Sequence, residues 1–325
     1  EDRERDVQGV REGARGLLTD LMQAASVRAA KQAAQDDKVD RKGSSGMKSA
    51  APQQSDIIDV TQDTIRVGFV GTGTIVSHTV KGLLRPGLEG KKLDVIVSPR
   101  SKDKAEELKK LFPDQVTIAE DNQFILDTCT IVCLGVTPQH AESVLEGLKF
   151  KEDHLVISFL STAKIPDLSR MCAPAKQILR AIPMPPIEKG LGPLVTHPPN
   201  QTFDSIFSRT GKIIALENEI ELAAMMSTSA LMATYYEWMG VGHKWLVAQG
   251  IPSKPATTYM CSLFLALATK GQHEEDGFDK IVSESQTPGG INEQVVRNLR
   301  EEGWFEGVGK QLDGILARVL GKPKA

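Results

Sequence analysis

Cysteine is scarce in this chain, and the four that occur, Cys129, Cys133, Cys172 and Cys261, form none of the CxxC pairs with matching histidines that a zinc site requires. The six histidines are scattered singly, with no two of them a helical turn apart. These absences argue against a metal centre and against a disulfide framework. Cys129 and Cys133 flank an apolar run that reads as a buried strand, so reduced, packed thiols are expected, in a cytoplasmic or at most organellar compartment.

An excess of one charge is missing too. Lys and Arg number 39 against 42 Asp and Glu, a formal net charge of -3, so the chain has no basic field to hold nucleic acid or an anionic membrane surface. Long hydrophobic runs are also absent: residues 263–267 and 131–136 fall far short of the roughly 20 apolar residues that span a bilayer. A small-molecule ligand is the expectation, with no nucleic-acid and no membrane partner.

What remains is a chain of 325 residues, 40% hydrophobic, enough for two cores given that domains usually hold about 100 to 200 residues. Residues 1–62 are expected to form a disordered or partly helical extension. Its acids and bases are mixed, and Lys42-Gly43-Ser44-Ser45-Gly46 and Pro52-Gln53-Gln54-Ser55 have linker composition. Within it, Val10, Leu17, Leu18, Leu21 and Met22 recur at helical spacing, which predicts a helix over about residues 7–34. An organelle transit peptide would be poor in acids, and Asp2, Glu4, Asp6, Glu12 and Asp20 contradict that.

From Thr64 onward, short β-branched runs at 65–70, 93–97, 116–118, 130–134 and 155–159 alternate with helical segments such as 75–84 and 102–111. Alternation of this kind predicts a parallel sheet wound with crossover helices. Three more strand candidates, 177–182, 194–197 and 212–216, would extend the same sheet, with a short helix near 203–207 between them. After Glu217 the strands stop. Helices are predicted over 219–249, 254–269, 278–284, 290–302 and 305–320, the first of them apolar on several faces, so that other helices must cover it. The fold class is therefore α/β: a Rossmann-type doubly wound sheet over 63–216, followed by an all-helical domain over 217–325.

The chemistry is expected where the first strand meets the first helix, at Gly71-Thr72-Gly73-Thr74-Ile75-Val76. Gly71 permits the tight turn, and Gly73 removes the β-carbon that would keep a pyrophosphate from the amides at the helix start. Val76 replaces the third glycine of the usual dinucleotide fingerprint and is expected to push that helix slightly off the sheet. The second strand ends in Ser98-Pro99-Arg100 where an NAD site would place an acid. A hydroxyl and a guanidinium suit a 2'-phosphate, which favours NADP(H) over NAD(H).

At this point the residues resemble a family. Arg66-Val67-Gly68-Phe69-Val70-Gly71-Thr72-Gly73 is similar to the opening strand and loop of the pyrroline-5-carboxylate reductases. Leu134-Gly135-Val136-Thr137-Pro138-Gln139 resembles that family's Val-Lys-Pro-Gln loop, and Arg180-Ala181-Ile182-Pro183-Met184-Pro185-Pro186 its Arg-x-Met-Pro-Asn-Thr-Pro. Gln286-Thr287-Pro288-Gly289-Gly290-Ile291-Asn292 stands where the family has Ser-Pro-Gly-Gly-Thr-Thr.

The resemblance covers residues 65–320 and implies NADPH-dependent reduction of a cyclic imine, 1-pyrroline-5-carboxylate, to L-proline. It implies a cofactor held by Gly71, Thr72, Gly73, Thr74 and Ile75, with Ser98 and Arg100 at the 2'-phosphate and Asn122 near the adenosine ribose. Val136, Thr137 and Pro138 would lie along the nicotinamide, and Gly289, Gly290 and Asn292 would position the substrate. It further implies that the helical domain forms a homodimer, or a larger assembly of dimers.

Four departures, Thr137, Met184-Pro185, Ile291 and Asn292, fall on positions that face the substrate in the family. They keep two alternatives open: a reductase of another imine, and a non-catalytic NADP-binding homologue. A β-hydroxyacid dehydrogenase is disfavoured, because the early helical segment has no lysine before Lys244.

Overall fold

A computed structural model describes residues 64–88, 90–274 and 277–321. The extension over 1–62, with the helix expected at 7–34, lies outside the described residues. Eight strands form one sheet in the order β3-β2-β1-β4-β5-β6-β7-β8. They are β1 (Thr64–Val70), β2 (Lys92–Val97), β3 (Val116–Ile118), β4 (Ile131–Leu134), β5 (Leu155–Ser158), β6 (Gln177–Ile182), β7 (Pro193–His197) and β8 (Lys212–Ala215). The inner strands are near-continuous apolar runs because both faces are covered, the sequence signature of parallel sheets.

Helices α1 (Thr74–Leu83), α2 (Lys102–Leu111), α3 (Asn122–Thr128), α4 (Pro138–Leu145), α5 (Ile165–Met171) and α6 (Gln201–Phe207) supply that cover. One core packs Val76, Val80 and Leu83 of α1 and Phe203 and Phe207 of α6 on Val67, Phe69, Val95 and Ile157. The other packs Ile125, Leu126, Ala141, Leu145 and Leu168 on Val70, Val132 and Val156. Successive crossovers thus run to opposite faces on either side of the β1/β4 boundary, which opens a crevice at the carboxyl ends of these two strands.

The sheet departs from a wholly parallel one at β7, which runs antiparallel to β6, with β8 parallel to β7. The link from β6 to β7 holds only the 3-10 turn Pro185–Lys189. It is too short for the crossover that a parallel return demands.

The remaining helices are α7 (Glu219–Thr228), α8 (Leu231–Ala248), α9 (Ser253–Gly271), α10 (Phe278–Glu284), α11 (Ile291–Glu301) and α12 (Trp304–Val319). The single helix expected over 219–249 is two, broken between α7 and α8. The hydroxyls of Ser227, Thr228 and Ser229 return to the carbonyls of Ala223, Met225 and Met226, and such back-bonding competes with the helix ladder. The start of α7 is well defined: Asn218 Oδ1 accepts from Glu221 N at 2.9 Å while Glu221 Oε2 accepts from Glu217 N at 3.1 Å, a reciprocal cap.

Candidate functional site

Gly71 ends β1 at φ +92°, a conformation that side chains resist, and a β-carbon there would lie 2.8 Å from Val136 Cγ1. Gly73 is the N-cap of α1, with no side chain satisfying the first-turn amides and no acid in that turn. A β-carbon built on Gly73 would meet only Gly135 O, at 3.7 Å, so this backbone faces open space. The first helical bond is Ser77 N to Gly73 O at 3.0 Å. The amides of Thr74, Ile75 and Val76 therefore lack intrahelical partners and fit an anion such as a pyrophosphate. Ile75 packs on the first core, and the exposed Thr74 hydroxyl receives Lys104 Nζ at 2.5 Å. Lys104, on α2, adds a cation at the rim that reading the loop alone does not reveal.

Val76 does not push α1 off the sheet. Its side chain is fully buried, in space left by a glycine on the facing loop. A β-carbon on Gly135 would sit 2.1 Å from Val76 Cγ2. The missing third glycine of the fingerprint has, in effect, been moved across the interface to position 135, and close helix–sheet packing is kept.

At the carboxyl end of β2, Thr72, Ser98 and Asn122 form one network. Thr72 Oγ1 donates to Ser98 O at 2.6 Å, and Ser98 Oγ donates to Asn122 Oδ1 at 2.8 Å. Thr72 and Ser98 are buried, so both shape the pocket floor. Asn122 opens α3, fixed by Asp121 Oδ1 accepting from Phe124 N at 2.8 Å. Arg100 is exposed beyond this floor, free to meet a phosphate.

Beyond β4, Gly135 N donates to Val70 O at 2.9 Å, which holds residues 135–138 beside the glycine loop. Val136 is partly buried on the second core. Thr137 is the N-cap of α4 and Pro138 its first residue, where a missing N–H costs nothing. The Thr137 hydroxyl lies 2.8 Å from His140 Nδ1, a titratable partner that the motif did not single out.

The substrate candidates stand at the start of α11. Gly289 has φ +72° and Gly290 is the N-cap. Each expected donor already has an intrachain acceptor. Gly289 N donates to Glu293 Oε2 at 2.5 Å, Gly290 N to Thr287 O at 2.7 Å, and Asn292 Nδ2 to Ser285 O at 3.0 Å. Ile291 is 80% exposed. Glu293, three residues past the N-cap, is a legible capping signal that the sequence reading passed over. The structure brings the cofactor candidates together, whereas among the described residues no hydrogen bond joins them to residues 289–292.

Comparison with known proteins gives this geometry a context. Residues 66–162 match the family described as NADP oxidoreductase, coenzyme F420-dependent. The chain is 24% identical over 266 residues to the pyrroline-5-carboxylate reductase of Pisum sativum, covering 78% of this chain and 93% of that protein. In sequence this chain is similar to the pyrroline-5-carboxylate reductases. Pyrroline-5-carboxylate reductase 3 of Rattus norvegicus matches at 22% identity over 76% of this chain and 92% of its own length.

The fold agrees with that similarity. The 1-pyrroline-5-carboxylate reductase of Streptococcus pyogenes superposes with a TM-score of 0.68 at 20% identity, over 79% of this chain and 99% of that one. The pyrroline carboxylate reductase of Plasmodium falciparum, solved with NADP bound, gives 0.66 at 18% identity, over 78% and 97%. The likeness of fold thus runs through both the sheet and the helices, over 99% and 97% of the two solved chains.

Proposed function

We propose that the chain is an NADPH-dependent reductase of a C=N bond that converts 1-pyrroline-5-carboxylate to L-proline. The observation that carries this reading is the extent of the likeness to the pea reductase, 93% of whose length is matched. We divide the chain into an NADP-binding domain over 63–216 and a helical dimerisation and substrate domain over 217–325.

Bound NADPH supplies the hydride to the imine carbon, and the residues of the chain bind and orient. The amides of Thr74, Ile75 and Val76 hold the pyrophosphate, with Gly71 and Gly73 allowing its approach. Arg100 takes the 2'-phosphate, while Ser98, whose hydroxyl proton goes to Asn122, acts through the Thr72–Ser98–Asn122 network that keeps that floor rigid. Val136, Thr137 and Pro138 orient the nicotinamide. A protonated imine is already electrophilic, so positioning suffices without a strong protein acid.

The helical part favours a homodimer or an assembly of dimers. No residue of α8 is buried, although it carries Tyr236, Trp238, Val241 and Trp245, and exposed apolar surface on this scale marks an interface.

One observation favours a second substrate. The Glu293 carboxylate occupies the Gly289 amide and puts negative charge where the substrate carboxylate would lie. That arrangement suits an imine lacking a ring carboxylate. NADPH oxidation by the purified chain is the test, with pyrroline-5-carboxylate, its six-membered piperideine analogue and unsubstituted 1-pyrroline, beside Asn292→Ala. Turnover of pyrroline-5-carboxylate, weakened in Asn292→Ala, is expected. Turnover confined to 1-pyrroline selects the second reading, and no turnover on any of the three despite tight NADPH binding overturns both.

A further inference from the structure

Arg180, on β6, has a side chain only 6% exposed, paired with Glu219 at the start of α7. Its Nη1 donates to Glu219 Oε1 at 3.3 Å, and its Nη2 donates to the carbonyl of Ser161 at 2.7 Å. The same Glu219 oxygen accepts from Ile165 N at 2.8 Å. Ser161 lies within the loop after β5 and Ile165 opens α5 at its far end, so one ion pair clamps both. Between them Thr162 and Lys164 are exposed. Arg180 Nη2 also reaches Met226 Sδ at 3.9 Å. Met226 lies seven positions on from Glu219, which puts both on one face of α7.

This loop leaves the carboxyl end of β5. Phe159 N donates to Leu134 O at 2.9 Å, which holds the start of the loop against β4 and the Gly135–Pro138 segment. Ligands of open α/β sheets bind outside the carboxyl ends of the strands, so the loop borders the crevice already described. A buried ion pair is a weak source of stability. Burial pulls the Arg180 guanidinium down from its usual range while Glu219 raises it, and among the described residues its Nε is buried without a partner. What the planar fork adds is fixed geometry at two acceptors, which a lysine does not reproduce.

We infer that Arg180 and Glu219 act as a latch that positions the 161–165 loop as a wall of the cofactor crevice, making Arg180 a positioning residue for hydride transfer. The part concerning turnover rests on the proposed reductase activity. The part concerning the loop does not.

The test uses the full chain with Arg180→Lys and Glu219→Gln, read by amide hydrogen exchange with and without NADPH, by NADPH affinity and by imine turnover. In Arg180→Lys, exchange over 161–165 is expected to rise about tenfold while the β1 and β4 amides stay protected. kcat is expected to fall about tenfold, with the NADPH dissociation constant within about twofold. Glu219→Gln, which retains an acceptor for Ile165 N, is expected to show a smaller rise; should Arg180→Lys fail to fold, the rise in Glu219→Gln decides. Unchanged loop exchange, or a rise spread equally over the core strands, overturns the latch. Faster loop exchange with unchanged kcat overturns the positioning role. If the wild type reduces no imine, the activity reading fails, and the latch stands or falls on whether NADPH protects the loop in the wild type and not in Arg180→Lys.

Discussion

Gly135 and Val76 share one volume, and that pairing has a measurable cost. Gly135→Ala would put a β-carbon 2.1 Å from Val76 Cγ2 and 3.2 Å from Gly71 O. We expect it to destabilise the chain by about 1–3 kcal/mol, the usual range for overpacking, and to weaken NADPH binding by shifting the glycine loop. Adding Val76→Ala should restore much of both, because the clash is with a methyl group; denaturant melts and NADPH titrations of the single and double variants check it. Arg100 offers a cleaner separation. Arg100→Ala should weaken NADPH binding by about 1.5–3 kcal/mol, roughly tenfold or more in the dissociation constant, and leave NADH nearly untouched, since only the 2'-phosphate is a charged acceptor. Equal losses for both cofactors in parallel titrations would show that Arg100 does not read the 2'-phosphate.

Among the elements, α3 links a cap to the pocket floor. Asp121 satisfies the amide of Phe124, and Asn122, the next residue, receives the Ser98 hydroxyl. Asp121→Ala should cost about 0.5–2 kcal/mol of stability and loosen the floor, seen as a lower melting temperature together with weaker NADPH binding. The strands were legible to within about a residue because runs such as 131–134 are apolar on both faces, a pattern only a covered sheet needs. The break between α7 and α8 was not, because Ser227, Thr228 and Ser229 are tolerated in a helix unless their hydroxyls turn back to the carbonyls. The antiparallel β7 was also missed, since alternation of apolar residues carries no strand direction.

For the whole molecule, two predictions follow from burial. Cys129 and Cys172 are pushed up from 9.0 to about 12 by burial, so in the native protein they stay protonated while an unfolded chain ionises near 9.0. The unfolded state then holds fewer protons between these values, and stability should fall as pH rises from about 9 towards 12. Melting curves across that range check the sign, and alkylation at pH 8 should label Cys261, the exposed thiol, well before the other three. The helical part predicts assembly. Trp245→Glu places a charge on a residue 62% exposed in the single chain; if α8 is an interface, the variant should lose about 2 kcal/mol or more of association energy. Sedimentation should then show the wild type at a multiple of the chain mass and the variant closer to one.

The sequence by itself determined the alternation of strands and helices, the glycine loop at the end of the first strand, the hydroxyl and guanidinium at the end of the second, and the resemblance these motifs carry. Those are local signals, fixed by backbone conformation and by the period of burial. Only the tertiary structure decided that Gly135 makes room for Val76, that Ser98 leans on Asn122, and that Arg180 ties the loop after β5 to α7. Each of these joins groups through space, and which donor finds which acceptor is settled when the chain excludes water from between them, a step the order of residues does not record.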